Sequence, residues 1–290
     1  MRSRPYDPCT FLAVVTDSSA QLTAAEAAAA GVTVVPIVVT IDGSAFLEGI
    51  ELSPEDFYAR VADAGDVALS TSQPSPGAFA EVYQRLAEEG VDEIISIHVT
   101  ASSSGTLNAA RLGAAEVDVP VHLVDSNMTS YGLGVLALEA AANVRTGHSA
   151  AEVIEGVQAM IPAMSVVFLL QDPKYTLRGG RLRQTAATEG GEDVLILGGT
   201  GGGFDVVGSG STVLSLVDQM AAFLLRGDHD RHVAVAFAGP DTIDFTEGLE
   251  AALTSSPKVT SVHRYRMSAS VAVHTGVNTA GGFSWPTKGV

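Results

Sequence analysis

Hydroxyl side chains crowd the stretch HVTASSSGT, residues 98–106, where a strand-like segment meets a helix-like one. The preceding VDEIISI is β-branched, as in a buried strand, and the following LNAARLGAAEV has helical composition and spacing. An ordinary Ser or Thr helix cap accounts for one of the five hydroxyls. Backbone N–H groups at a helix start, together with the helix dipole, favour an anion. The stretch therefore suits a bound phosphate or carboxylate.

Three further turns have the same character: TDSSA at 16–20, STSQPS at 70–75 and DSNMTSYGLG at 125–134. Each follows a strand-like run and precedes a helix-like one. In parallel α/β sheets, ligands bind beyond the carboxyl ends of the strands. We therefore expect the four turns at one edge of a sheet, where together they would form a binding site.

The elements that carry these turns divide the chain into two parts. The first half repeats strand, turn and helix, which predicts a parallel sheet with helices on both faces. The second half mixes hairpin-like and helical units, which indicates an α+β domain. The Pro-containing MIPAMS suits a boundary, so we predict an α/β protein with domains at 1–160 and 161–290.

Two apolar segments are interpreted as strands. VTVVPIVVTI, residues 32–41, is half the length of a membrane span, and we predict one buried strand. VAVHTG, residues 271–276, is predicted to be an apolar strand that ends in Thr and Gly. A lone histidine there, His274, is more often structural than catalytic.

Composition excludes several classes of function. The formal net charge of −17 repels nucleic acid and anionic membranes, so no nucleic-acid partner is expected. A single cysteine, Cys9, leaves no internal disulfide and fits a reducing cytoplasm. The N-terminal FLAVV is too short for a signal peptide, and we expect no integral membrane segment. The protein is therefore predicted to be cytoplasmic.

Other motifs carry less chemistry. GGTGGG at 198–203 is followed by strand-like FDVV, so we interpret it as a hairpin loop and not as a dinucleotide fingerprint. The seven histidines lack metal-ligand spacing, and no metal site is predicted. Ser104, His274 and Asp125 could form a hydrolase triad, although nothing in their spacing supports one. Arg181 in RGGR is either part of a solvated turn or the cation that completes an anion site.

Several segments together resemble the DegV family of bacterial fatty-acid-binding proteins. The matching motifs follow one another in order along nearly the whole chain. They are TDSSAQL, PIVV, EGIELSPEDFY, TSQPSP, SSGT, VDSNMTSYGLG, RGGRL and HTG. Each motif is short, but the combination and the order are specific, and they identify the chain as a member of this family.

The resemblance implies a two-domain carrier without a cofactor or chemistry of its own. It implies a long-chain fatty acid buried between the domains, with the carboxylate held by hydroxyls and a histidine. An ATP-binding kinase subunit is then the implied partner, which makes the acyl phosphate. Carried over by motif, the ligand-binding residues are Ser70, Thr71 and Ser72 of STSQPS, Ser104 and Gly105 of SSGT, Arg181 of RGGR, and His274 and Thr275 of HTG.

The chain departs from the family pattern at two places. Where relatives often have an Ile-Lys-Pro-Ile-Leu-like run and a Lys-x-Arg pair, this chain reads VLILGGTGGGFDVVGSGST. Val277 replaces the proline of the usual closing motif. These departures put kinase docking and the position of His274 in question. Two alternatives stay open: a serine esterase that uses Ser104 and His274, and a carrier or sensor of another lipid without a kinase.

Overall fold

A computed structural model describes residues 10–64, 67–170, 194–200 and 204–287. Its strands are β1 (Leu12–Asp17), β2 (Val32–Val35), β3 (Val38–Ile41), β4 (Ser44–Leu47), β5 (Leu69–Ser72), β6 (Glu93–His98), β7 (Val121–Asp125), β8 (Ser165–Leu170), β9 (Val194–Gly199), β10 (Asp205–Gly210), β11 (Arg231–Phe237), β12 (Val259–Arg266) and β13 (Gly281–Pro286). Its α-helices are α1 (Ala24–Ala30), α2 (Pro54–Ala64), α3 (Pro76–Glu88), α4 (Thr106–Ala114), α5 (Tyr131–Arg145), α6 (Ala150–Met160), α7 (Val213–Leu224), α8 (Ile243–Thr254) and α9 (Ala269–Thr275). None of these helices combines the length and the apolar composition that a bilayer-spanning segment needs.

The first half of the chain builds a parallel sheet in the order β2-β1-β6-β7. Successive side chains of a strand point to opposite faces. In β1, Val14 therefore packs in the same cluster as α5, and Val15 packs in the cluster of α3 and α4. Helices cover both faces, as the sequence predicted for an α/β domain.

Helix α3 forms where its local sequence predicts. The Ser75 hydroxyl accepts a hydrogen bond from the Ala78 N–H, and Pro76 occupies the first turn, where its missing N–H has no cost. Phe79, Tyr83 and Leu86 follow at helical spacing, and all three are buried against the sheet. The start of α3 fixes the end of the STSQPS turn.

A separate antiparallel sheet, in the order β4-β3-β5, corrects the prediction for VTVVPIVVTI. This run is two strands, and Pro36 lies between them. Proline has no N–H to donate to a ladder, so β2 ends before it and the chain leaves the parallel sheet. The first three residues of STSQPS belong to β5 of this small sheet and the rest follow it, so it is wrong to place all four hydroxyl turns at the edge of the parallel sheet.

The second half builds a mixed sheet in the order β10-β9-β8-β13-β11-β12. Strands β9 and β10 pair as an antiparallel hairpin, as the interpretation of GGTGGG requires. Helices α7 and α8 cover one face of this sheet. The two-part α/β and α+β architecture is confirmed, while the exact boundary at residue 160 stays a prediction.

Helix α5 lies between the two large sheets. Its Leu133 and Leu136 are fully buried in a cluster that includes Val166 of β8 and Phe283 of β13. At its start, the Tyr131 ring stacks on Tyr265 of β12, with ring centroids 4.8 Å apart. These contacts join the two halves of the chain along one helix.

We expect Gly134→Ala on α5 to lower the free energy of unfolding by about 1–3 kcal/mol, because the added methyl group has no space beside the backbone of Ala20. A Cβ at Gly134 would overlap the carbonyl oxygen of Ala20, which belongs to the backbone and cannot move aside easily. Urea unfolding measures the change. In the control Gly156→Ala on α6, the nearest atom to the new Cβ is 3.9 Å away, and a gain of roughly 0.5–1 kcal/mol is expected. Equal stabilities of the two variants would contradict this prediction.

Candidate functional site

A cavity lies between the parallel sheet and the mixed sheet. Its volume is about 120 Å³, roughly ten times what one water molecule requires. The residues described around it are Ser19, Ile37, Thr71, Val99, Ser103, Ser104, Thr129, Ser130, Val166, Val167, Phe168, Phe204, Tyr265, Met267, Ser270, Val271, His274, Thr275, Gly281 and Phe283. The lining has a hydroxyl-rich part from the turns and an apolar part from the mixed sheet.

The apolar part comes mainly from β8 and β13. Val166, Val167 and Phe168 run along β8, and Phe283 lies on the neighbouring strand. The ring of Phe168 meets that of Phe204 edge to face, with centroids 5.0 Å apart. Such a wall offers dispersion contacts and no hydrogen bonds, so it suits an aliphatic chain.

Thr71 and His274 meet in the polar part of the cavity. The Thr71 Oγ1 and the His274 Nε2 are hydrogen-bonded at 2.7 Å, although 203 residues separate them in the chain. Thr71 points inward from β5, whereas its neighbours Ser70 and Ser72 are exposed, because side chains alternate along a strand. Ser70 and Ser72 do not line the cavity.

His274 lies on helix α9, so the prediction of a strand for VAVHTG is wrong. The valines of this segment favour a strand locally, but contacts with the rest of the protein impose a helix. Thr275 also lines the cavity, and its hydroxyl donates a hydrogen bond to the Val271 carbonyl at 3.1 Å. That bond occupies the donor of Thr275, which leaves only an acceptor for a ligand.

Ser104 lines the cavity from the turn after β6. Its Oγ accepts a hydrogen bond from the Thr106 N–H at 3.2 Å and lies 2.8 Å from the Thr106 hydroxyl. Ser103 lines the cavity beside it. The Ser104 hydroxyl therefore bonds the first N–H of α4, whose N-cap residue is Gly105, and Ser104 also lines the cavity.

Gly105 does not line the cavity, and its backbone packs against the Gln73 side chain. A Cβ at Gly105 would lie 2.9 Å from the Gln73 Nε2. The absence of a side chain lets the SSGT turn approach the STSQPS turn closely. Arg181 lies outside the described residues, so its predicted role stays a prediction.

Sequence reasoning did not single out six of the polar lining residues. Four of them belong to turns that the sequence did identify, but the sequence does not show which side chains of a turn face the cavity; these are Ser19, Ser103, Thr129 and Ser130. Tyr265 and Ser270 gave no local signal, because each reaches the cavity from an element of the second half. Only the packing of the two halves brings them to the site.

Ser130 combines burial with an unusual backbone conformation. Its φ is +55° and its ψ is −148°, a region that residues other than glycine seldom occupy. The Ser130 Oγ lies 3.0 Å from the Tyr265 hydroxyl, and burial raises the pKa of Tyr265 above its ordinary value. Tyr265 therefore stays neutral and holds the start of α5 by a hydrogen bond.

A buried chain of hydrogen bonds ends at Ser19, a residue that lines the cavity. The Asp17 Oδ2 lies 3.0 Å from the His98 Nδ1, and the His98 Nε2 lies 2.7 Å from the Ser96 hydroxyl. Ser96 continues to the Tyr83 hydroxyl at 2.8 Å. On the other side, the Ser19 hydroxyl donates to the Asp17 Oδ1. Because Ser19 lines the cavity, this chain fixes one of its polar residues.

The hydrogen bonds of the proposed hydrolase triad lead elsewhere. His274 is bonded to Thr71, and the Asp125 Oδ1 accepts the Asn127 N–H at 3.0 Å. Among the described residues, Asp17 is an aspartate bonded to a histidine, and this partner, His98, is fully buried. Within the described residues, the geometry therefore does not assemble Ser104, His274 and Asp125 into a relay.

The described lining contains no lysine, arginine, aspartate or glutamate. Its titratable side chains are His274 and Tyr265. Across the described ranges, no group of three His, Cys, Asp or Glu residues could hold a metal ion. The described polar part of the cavity thus offers hydroxyls and one imidazole, a set of groups that suits a carboxyl group better than a cation.

Comparisons with known proteins agree on one family. The family model described as "Uncharacterised protein, DegV family" matches residues 11–287. A DegV domain-containing protein of Streptomyces coelicolor is 32% identical over 276 residues, which cover 93% of this chain and 96% of that protein. A DegV domain-containing protein of Deinococcus radiodurans is 37% identical over 180 residues, which cover 62% of this chain and 63% of that protein.

Solved structures share the fold over nearly the whole chain. A DegV family protein from Thermus thermophilus, described as fatty-acid-binding, is 26% identical and has a TM-score of 0.86, covering 96% of this chain and all of that one. DegV from Bacillus subtilis, described as a fatty acid binding protein, is 24% identical with a TM-score of 0.82, covering 96% and 100%. At 24% identity, the likeness to the Bacillus subtilis protein shows the fold alone.

Proposed function

Because the chain belongs to the DegV family, we propose that it binds a long-chain fatty acid in the cavity between its two large sheets. The acyl chain lies along the apolar wall of β8 and β13. The carboxyl group meets Thr71, Ser104 and His274. The observation that carries the proposal is the 2.7 Å contact of Thr71 with His274 at the polar end of an otherwise apolar cavity.

An estimate of the binding energy also assigns different roles to the apolar wall and to the polar groups. Burial of an acyl chain of about 16 carbons contributes on the order of 12 kcal/mol before the costs of ordering, at about 0.8 kcal/mol per methylene. The apolar wall therefore supplies most of the affinity. The hydroxyls and the imidazole determine which end of the ligand lies at the turns.

The protein acts in this proposal as a cytoplasmic carrier that presents the carboxyl group to an ATP-binding kinase subunit. The ligand described for the Thermus relative supports fatty acid binding. The region VLILGGTGGGFDVVGSGST, which lacks the Lys-x-Arg pair, instead favours a lipid carrier without a kinase. Co-purification with an ATP-binding protein would count against that alternative. Turnover of a nitrophenyl ester that is lost in Ser104→Ala would favour an esterase.

We expect solvent extraction of the purified protein, followed by mass spectrometry, to release a fatty acid in stoichiometric amount. Val271→Trp on α9 fills the cavity from its side and should lower the retained lipid at least tenfold, because the chain loses its space. Val213→Trp, at a half-exposed position on α7, is the control and should retain the lipid. No acyl lipid in the wild type, even after incubation with fatty acids, would refute the proposed function.

A further inference from the structure

Glu48 is a buried carboxyl group that follows strand β4, at the meeting of the two halves of the chain. Its side chain is only 4% exposed. The Glu48 Oε2 accepts a hydrogen bond from the Ser18 hydroxyl at 2.5 Å. The Oε1 accepts two more at 2.6 Å, from the Ser268 hydroxyl and the Ser270 N–H. One carboxyl group thus connects the turn after β1 with the start of α9.

Gln21 makes a second connection between the same two places. Its Oε1 accepts a hydrogen bond from the Ser268 N–H at 2.5 Å, and its Nε2 donates to the Ser268 hydroxyl at 2.7 Å. Both contacts join residues that are 247 positions apart in the sequence. The polar groups at the start of α9 are therefore held by residues of the first half of the chain.

The other end of α9 carries His274. The helix has 7 residues and would be marginal in isolation, because helices shorter than about 12 residues seldom form alone in water. Ser270 and His274 are four residues apart, so they lie on the same side of this short helix. A change in the position of Ser270 would therefore also move His274, which lies one helical turn away.

We propose that Glu48 is a positioning residue of the cavity: it fixes the first turn of α9 so that His274 reaches Thr71. This inference rests on the proposed function, because the contact that Glu48 sets is the proposed binding contact for the carboxyl group. The Ser18 hydroxyl extends the same effect to the cavity wall, since it accepts the N–H of Ile37 at 2.9 Å.

The groups around Glu48 explain why an acid occupies this position. Ser18, Ser268 and Ser270 all present donors, and a carboxylate has only acceptors. Burial raises the pKa of Glu48, and the hydrogen bonds from the same residues oppose that shift. The Ser270 hydroxyl makes no well-formed hydrogen bond, although it lies close enough to the carboxyl group to oppose the shift as well. An amide would place its NH₂ group against a donor.

The first arm of the test measures the preference for an acid headgroup. Affinities for palmitic acid and for hexadecanol are measured by displacement of a fluorescent fatty acid, and their ratio is compared between variants. Glu48→Ala should lower the ratio about tenfold, the size of one lost hydrogen bond to a charged group. Glu48→Gln keeps the volume and one acceptor, so its loss should be smaller. This variant also covers the case in which Glu48→Ala fails to fold.

A matched control separates positioning from loss of stability. Thr242 is 1% exposed and does not line the cavity, and Thr242→Ala removes a hydroxyl that is bonded to the Ala238 N–H and the Gly239 carbonyl. It should lower the stability and leave the acid-to-alcohol ratio unchanged. A wild-type ratio in Glu48→Ala would overturn the inference.

The second arm uses the ligand-free protein, so it does not depend on the proposed function. In Glu48→Ala, backbone amides of α9 should exchange with solvent about tenfold faster, and the ring signals of His274 should shift, while α8 is unchanged. Unchanged α9 exchange and unchanged His274 signals would overturn the inference even if fatty acid binds. If the wild type binds no palmitic acid, the proposed function fails, and this arm still decides whether Glu48 positions His274.

Discussion

Replacing Asp17 by alanine is expected to lower the free energy of unfolding by about 3–5 kcal/mol, the range found when one partner of a buried pair is removed. Asp17 and His98 are both fully buried. The carboxyl group accepts hydrogen bonds from the N–H groups of Ser19 and Val99, each at 3.1 Å, as well as from the Ser19 hydroxyl. Each buried donor left without a partner costs about 1–3 kcal/mol.

Urea unfolding of Asp17→Ala measures this change. The control is Asp56→Ala at the start of α2, where the carboxyl group accepts an exposed hydrogen bond from the Ser53 hydroxyl. Its loss should be below about 1 kcal/mol, as for other exposed interactions at a helix start. A loss at Asp17 no larger than that of the control would contradict the prediction.

A double-mutant cycle refines the prediction. Single and double replacements of Asp17 and His98 by alanine should be strongly non-additive, because the two side chains form one network. The network continues to Tyr83, whose pKa burial raises to about 12, so the phenol stays neutral as a hydrogen-bonding end. Additive effects would mean that Asp17 acts through its backbone donors alone.

Replacing His274 by alanine, or Thr71 by valine, is expected to weaken the binding of palmitic acid by about 10- to 100-fold. Hydrogen bonds to charged groups contribute about 1.5–3 kcal/mol each, and each variant removes one partner of the carboxyl group. Hexadecanol should lose less, since its neutral hydroxyl forms weaker hydrogen bonds. Displacement of a fluorescent fatty acid measures both ligands.

Ser72→Ala is the matched control for these variants. Ser72 lies next to Thr71 on β5, but its side chain points to solvent on the opposite face. Its replacement should leave both affinities unchanged. If Ser72→Ala weakens binding as much as Thr71→Val, the carboxyl group lies on the other face of β5 and the proposed site is wrong. If His274→Ala weakens the binding of hexadecanol as much as that of palmitic acid, His274 contributes through packing and not through a hydrogen bond to the carboxyl group.

The architecture gives these two predictions a common basis. Thr71 lies on the small antiparallel sheet, His274 on a helix of the second half, and Ser104 at the edge of the parallel sheet. Asp17 and Glu48 hold the turns that connect these elements. The cavity is therefore formed by the mutual packing of three units, and no single unit contains it.

Local sequence determined most of the elements of the first half. Ser75 followed by Pro76 predicted the start of α3, and Gly31 with its φ of +73° ends α1 as a glycine after a helix should. The hydroxyl turns and their order along the chain identified the family. These signals are readable because caps, turns and side-chain periodicity act over a few neighbouring residues.

Only the tertiary structure decided which hydroxyls face the cavity. It directs Thr71 inward and Ser70 outward, makes a helix of the segment that carries His274, and brings Glu48 and Tyr265 to the site. Each of these outcomes depends on contacts between residues far apart in the sequence, such as the 220 positions that separate Glu48 from Ser268. Local propensity is weak compared with such buried contacts, so a valine-rich segment becomes a helix where the packing requires one.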